Sequence, residues 1–203
     1  MEIKIPEYAL VVLMGASGSG KSTFAKTHFK ATEILSSDFF RGMVWNDDTD
    51  QASNKDAFEV LHFVLEKRLK NKLLTVIDAT NVQQTSRKEL RILAKRYHAP
   101  LVGIVLDMPA DLCISRNEAR PDRNFGPHVV RKHVKNLRHS SKHLKEEGFR
   151  HIFKFQSLED LADVQIVREK LHSDRKAETG PFDLIGDVHG CIDELKALLT
   201  KLG

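Results

Sequence analysis

Two cysteines in 203 residues, Cys113 and Cys191, are too few and too far apart for a disulfide framework or a zinc site. That scarcity fits a reducing, cytoplasmic setting. No apolar run approaches the ~18 residues that a membrane-crossing helix needs. No signal-peptide pattern opens the chain either, so no membrane partner is expected. Internal repeats and low-complexity tracts are missing too. With 41% hydrophobic and 30% charged residues, the composition is that of an ordinary globular protein. The length suits one domain with a proper core and a little extra. Acid is absent from residues 128–145, which hold six Lys/Arg and four His, although the whole chain carries only +4. A second basic cluster, Arg87, Lys88, Arg91, Lys95 and Arg96, falls on an expected helix. Such clusters read either as surfaces that attract polyanions or as solvated helix faces. His139 and His143 sit one helical turn apart with no carboxylate or cysteine beside them, and read as surface rather than metal ligands.

What the chain does have is Gly15-Ala16-Ser17-Gly18-Ser19-Gly20-Lys21-Ser22. It fits the P-loop pattern of glycine, four residues, glycine, lysine, then serine or threonine. Apolar residues 8–14 lead into it as a buried strand would, and helix-compatible residues from Thr23 follow. Glycine lets such a loop turn tightly and aim backbone N–H groups inward, an anion nest at a helix start. Gly15 to Thr23 are therefore the expected binding stretch for ATP or another nucleoside triphosphate. Lys21 reaches the β- and γ-phosphates, and the Ser22 hydroxyl takes Mg²⁺.

Further along, strand-like and helix-like segments alternate, which predicts an α/β fold with a central, mostly parallel sheet and flanking helices. Strands are expected at 32–36, 73–77 and 100–106, and helices at 54–70, about 84–97, and 110–147 with a break at Pro121–Pro127. In 54–70, Phe58, Leu61, Leu65 and Leu69 share one face. Apolar pieces at 152–155 and 164–167 are expected to complete the sheet and its packing. Polar residues follow four strands: the P-loop, Ser37-Asp38, Asp78-Ala79-Thr80-Asn81, and Asp107. Their convergence at the strands' carboxyl ends predicts one site. Residues 172–181 read as a linker.

A P-loop alone does not say what happens to the phosphate. Asp38, just after a strand, with Arg41 one turn on, offers a carboxylate to orient an acceptor hydroxyl and take its proton, and a cation to clamp an anionic acceptor. The competing role for Asp38 is a helix cap. Arg116, Arg120 and Arg123 surround an expected helical lid that lowers arginines onto the phosphates, unless they pair with Glu118 and Asp122. Asp78 suits indirect support of Mg²⁺, and Thr80 suits the acceptor side.

Together, Gly15–Ser22, the Asp38-Phe39-Phe40-Arg41 segment, Asp78–Asn81 and the lid arginines resemble the 5′-OH polynucleotide kinase family of P-loop phosphotransferases, over residues 1–170. The resemblance implies Asp38 as general base and Arg41 as clamp on the acceptor's phosphate. It implies Arg116 and Arg123 as lid residues, with Arg120 touching lid or acceptor. Phe182-Asp183-Leu184-Ile185-Gly186-Asp187-Val188-His189-Gly190 resembles the opening strand and first motif of a metallophosphoesterase, whose Asp187 and His189 would bind metal in an incomplete site. Its later motifs are absent. Kinase then phosphoesterase is the order of the bacterial RNA-repair polynucleotide kinase–phosphatases. That order implies 5′-OH ends of RNA or DNA as partners, and downstream phosphatase and ligase-like domains. It divides the chain into a kinase domain at 1–170, a linker at 171–181 and a phosphoesterase start at 182–203. A small-molecule kinase and a non-catalytic ATP-binding switch are the competing readings.

Overall fold

The computed structural model describes every residue except 48–53, 121–124, 172, 176, 181, 183, 184 and 203. It divides into two compact units, Met1–Leu171 and His172–Gly203.

In the first unit, five strands form a wholly parallel sheet: β2 (Leu10–Gly15), β3 (Ile34–Ser36), β4 (Thr75–Asp78), β5 (Leu101–Leu106) and β6 (Phe149–Phe155), in the order β3-β4-β2-β5-β6. Parallel neighbours need crossovers, and helices supply them. These are α1 (Lys21–His28), α2 (Ser37–Trp45), α3 (Asn54–Lys70), α4 (Lys88–Arg96), α5 (Ala110–Glu118) and α6 (Pro127–Ser140). A short α7 (Leu158–Ala162) follows β6. The two central strands β2 and β5 are apolar throughout because both faces are covered. Along β2, Leu10, Val12 and Met14 join one core cluster with Leu61, Leu65 and Leu69 of α3. Val11 and Leu13 join the other, with Phe24 of α1 and Val130 and Val134 of α6. The expected helical face at 54–70 is thus the one that packs.

One expectation holds for packing, since Val164 joins the second core cluster and Ile166 packs against it, but not for the sheet. Residues 165–167 lie in β7 (Gln165–Glu169), which does not join the main sheet. It pairs in parallel with β1 (Glu2–Pro6), an unforeseen strand, with Ile3 opposite Ile166 and Ile5 opposite Arg168. Ile3 and Ile5 are nevertheless buried against the second core cluster.

The second unit carries α8 (Ile192–Leu202), on which Ile192, Leu198, Leu199 and Leu202 are exposed. Asp187 Oδ2 lies 2.8 Å from His189 Nε2, and both side chains are more than 80% exposed. Among the described residues no group of three or more His, Cys, Asp and Glu gathers to hold a metal.

Candidate active site

The loop from Gly15 to Gly20 leaves β2 and enters α1, whose start has no side-chain cap, so its first N–H groups point to a ligand position. Two glycines here are required by shape. Gly18 has φ +81°, and a Cβ on it would stand 2.2 Å from the Cys113 carbonyl oxygen of α5. Gly20, with φ +98°, is the N-cap itself. The close approach of α5 is pinned by Asn117, fully buried, whose Oδ1 accepts from Ser17 Oγ at 2.9 Å. Its Nδ2 donates to the Phe125 carbonyl at 2.7 Å. Asn117 escaped the sequence reading because its neighbours Arg116 and Arg120 carried the obvious signal.

Lys21 is buried, and its Nζ donates to the Gly15 and Ala16 carbonyls at 3.0 and 2.8 Å. Burial pushes its pKa down to about 8, although the nearby Asp78 charge favours the protonated form. Burial likewise raises the Asp78 carboxyl, against the opposing effects of Lys21 and a hydrogen bond from Ser22. The Ser22 hydroxyl and the Asp78 carboxylate are hard oxygen donors on one spot. They fit Mg²⁺, which takes one or two protein oxygens and completes its shell with water and substrate phosphates.

Asp38 stands in the first turn of α2, where Ser37 Oγ donates to its Oδ1 at 3.2 Å and Arg41 Nη2 forms an ion pair with it. Arg41 is nearly fully buried. These groups line one cleft of about 280 Å³, together with Ser17, Gly18, Gly20, Thr80, Arg120 and His133. A second hollow of about 540 Å³ lies on the other side of the loop, between Thr23, Thr27 and His28 of α1, Arg116, and Leu158 and Leu161 of α7. Gly18, Gly20 and Arg120 border both. Ser19 is buried with its hydroxyl unpartnered among the described residues. Arg123 lies outside the described residues.

His133, one of the four histidines in the basic 128–145 stretch, faces this cleft. Its Nδ1 is buried without a hydrogen-bond partner among the described residues. Burial and the charges of Lys21 and Lys132 hold its pKa below the usual value. Its distance from the glycine loop along the chain left no local signal. Asp107 is the converse case, and corrects the expected four-strand convergence. Its carboxylate is taken by Arg138 Nε at 2.8 Å and Lys154 Nζ at 2.9 Å, and it does not line the cleft. Burial pushes its pKa up, but these two cations outweigh that and hold it below the usual range. Asp107 fastens α6 and β6 to the end of β5. Its role is structural.

A parallel sheet whose central strand delivers this loop defines the class: a P-loop kinase domain. Within that class, a family profile described as "AAA domain" (AAA_33) matches residues 10–144, more than half of the sequence, and the chain belongs to that family. The L-seryl-tRNA(Sec) kinase of Methanococcus maripaludis is 27% identical over 137 residues, 63% of this chain and 50% of its own length. A chain of the solved Pnkp1/Rnl/Hen1 RNA repair complex is 26% identical with a TM-score of 0.59, over 68% of this chain and 46% of that one. A gluconokinase from Sinorhizobium meliloti 1021 shares the fold at 16% identity and a TM-score of 0.50, over 78% of this chain and 88% of that one. The chain spans about half the length of the first two.

Proposed function

We propose that the domain is an ATP-dependent 5′-hydroxyl polynucleotide kinase, moving the γ-phosphate onto the 5′-OH end of RNA or DNA. The observation that carries this is the meeting of Lys21, Asp38 and Arg41 in one cleft beside the open start of α1. The loop N–H groups and Lys21 hold the β- and γ-phosphates. Ser22 and Asp78 would hold Mg²⁺, which when bound would supply positive charge against that developing on the transferred group. The Asp38 carboxylate orients the acceptor hydroxyl and takes its proton, with Arg41 fixing that carboxylate and offering its guanidinium to the acceptor's phosphate. Arg120, bordering both hollows, stands between donor and acceptor, and Arg116 closes the donor side; Arg123 joins them as a lid residue. The larger hollow takes the donor nucleoside.

The tRNA kinase and the RNA repair complex chain reported above, at 27% and 26% identity, have RNA in their names, which supports a polynucleotide-class acceptor over a small molecule. The 182–203 segment is proposed as the opening of a metallophosphoesterase, with Asp187 and His189 as its first ligands and phosphatase and ligase-like domains as downstream partners. The test is incubation with Mg²⁺, γ-labelled ATP and a 5′-OH oligonucleotide. Label at the 5′ end, lost in Asp38→Ala while ATP still binds, is the expected result. ATP binding with no transfer to any 5′-OH end would overturn the reading.

A further inference from the structure

A cavity larger than the catalytic cleft lies elsewhere on this unit. It is a groove of about 870 Å³ along α4, bounded by the 84–85 turn, by residues 98–101 entering β5, and by residues 147–150 entering edge strand β6. Its rim is basic: Lys88, Arg91 and Lys95 from α4, His98, and Arg150 from β6.

The structure sorts the basic cluster seen in the sequence. Arg87 is buried in a paired network, and Arg96 turns away to Glu66 at 3.0 Å. Lys88, Lys95 and Arg150 remain exposed on the groove, with no ion-pair partner among the described residues. The groove's single carboxylate, Glu147, is buried and held by Arg87, with Nε to Oε2 at 2.9 Å. The positive field of the groove is therefore not neutralised from within. No Phe, Tyr or Trp lines it, which removes the stacking platform that base recognition uses.

The groove also connects to the catalytic side. Gln84 borders it, and Thr80 borders the cleft. Four residues of chain span at most about 14 Å. Arg87 ties the two together, since its Nη1 donates to the Asn81 carbonyl at 2.7 Å while its other nitrogens hold Glu147. At Gln84 the groove abuts a further hollow that carries Lys135 and His139.

We propose that this groove is a second, sequence-independent binding track for the sugar-phosphate backbone of the acceptor strand, a few nucleotides beyond its 5′ end. The proposal rests on the polynucleotide kinase reading. Lys88, Lys95 and Arg150 each neutralise backbone phosphate, and the absence of aromatic rings leaves base identity unread. A small-molecule acceptor has no use for the groove. A long strand does.

The test compares wild type with Lys88→Gln/Lys95→Gln/Arg150→Gln, using 3′-labelled 5′-OH strands of about 4 and about 16 nucleotides, which bracket common single-strand footprints. Binding by fluorescence anisotropy and the KM for transfer are both measured. For the long strand, affinity falls about 10- to 100-fold near 0.1 M salt, and the slope of log K against log salt shrinks by about 2, three contacts at ~0.7 each. Values for the short strand and for ATP move less than about twofold, and the charge-conserving Lys88→Arg/Lys95→Arg/Arg150→Lys restores the long-strand values. Unchanged long-strand binding and slope, or equal losses for both lengths, would overturn the groove. Because binding is read without chemistry, the two proposals fail separately. A wild type that grips the long strand through these residues yet transfers nothing keeps the groove and overturns the kinase. A kinase whose long-strand KM ignores the substitutions does the opposite.

Discussion

The cleft at the carboxyl ends of the strands and the groove along α4 both gather positive charge, by opposite means. In the cleft the cations Lys21 and Arg41 are buried and already hydrogen-bonded, to loop carbonyls and to Asp38. In the groove Lys88, Lys95 and Arg150 are exposed on flexible stems. Burial fixes atoms and shifts pKa values, so it suits a reaction that needs a defined geometry. Exposure supplies field without geometry, so it suits a ligand whose charges repeat. Arg87 forms the wall between the two and belongs to neither.

If that contrast is right, substitutions in the cleft act on rate and those in the groove act on salt-dependent affinity. Asp38→Ala gives the largest effect: kcat falls by about 10²–10⁴, the range for a positioned general base, while ATP affinity by titration calorimetry stays within about twofold. An equal loss of ATP affinity would make Asp38 part of the donor site. Next is the wall. Arg87→Met leaves the Glu147 charge buried with only the more distant Arg91, at 3.9 Å, beside it, costing about 3–5 kcal/mol. For a chain of this size that is a melting temperature about 10 °C lower, and Arg87→Met/Glu147→Leu recovers most of it.

The pH dependence of ATP binding is smaller. Free Lys21 loses its proton above pH 8, because burial lowers its pKa to about 8. Triphosphate favours the charged amine, so binding takes up a proton in that range and affinity weakens by up to about tenfold per pH unit. Calorimetry in buffers of different ionisation enthalpy checks this, and Lys21→Met removes the uptake. The smallest effect is expected from Arg96→Ala. Its pair with Glu66 is a solvent-exposed one, so a thermal melt should not resolve the change.

The parts of the fold legible in the sequence are those with a local cause. The P-loop announces itself by glycine spacing, the inner strands by unbroken apolar runs, and α3 by one apolar face. Asp38 and Arg41 were legible as a pair because one helical turn separates them. What escaped needed information from far along the chain. Asp107 looked like Asp78, a carboxylate at the end of a buried strand, and only Arg138 and Lys154 distinguish it. The α4 cluster looked uniform until Glu147 removed Arg87 from it and Arg150 joined it from β6. His133 entered the cleft from a helix that the glycine loop gives no means of placing.

The pairing of β1 with β7 has a consequence for synthesis. Glu2 meets Gln165 and Pro6 meets Glu169, so the earliest strand of this unit waits for a partner made some 160 residues later. At about 5–20 residues per second the wait is about 10–30 s. Throughout it Ile3 and Ile5, fully buried in the finished fold, have no mate. The sheet carrying the P-loop can gather before then, but its amino-terminal strand is clasped last. A ribosome stalled between β6 and β7 would therefore display a nearly whole domain whose β1 still lacks its strand neighbour.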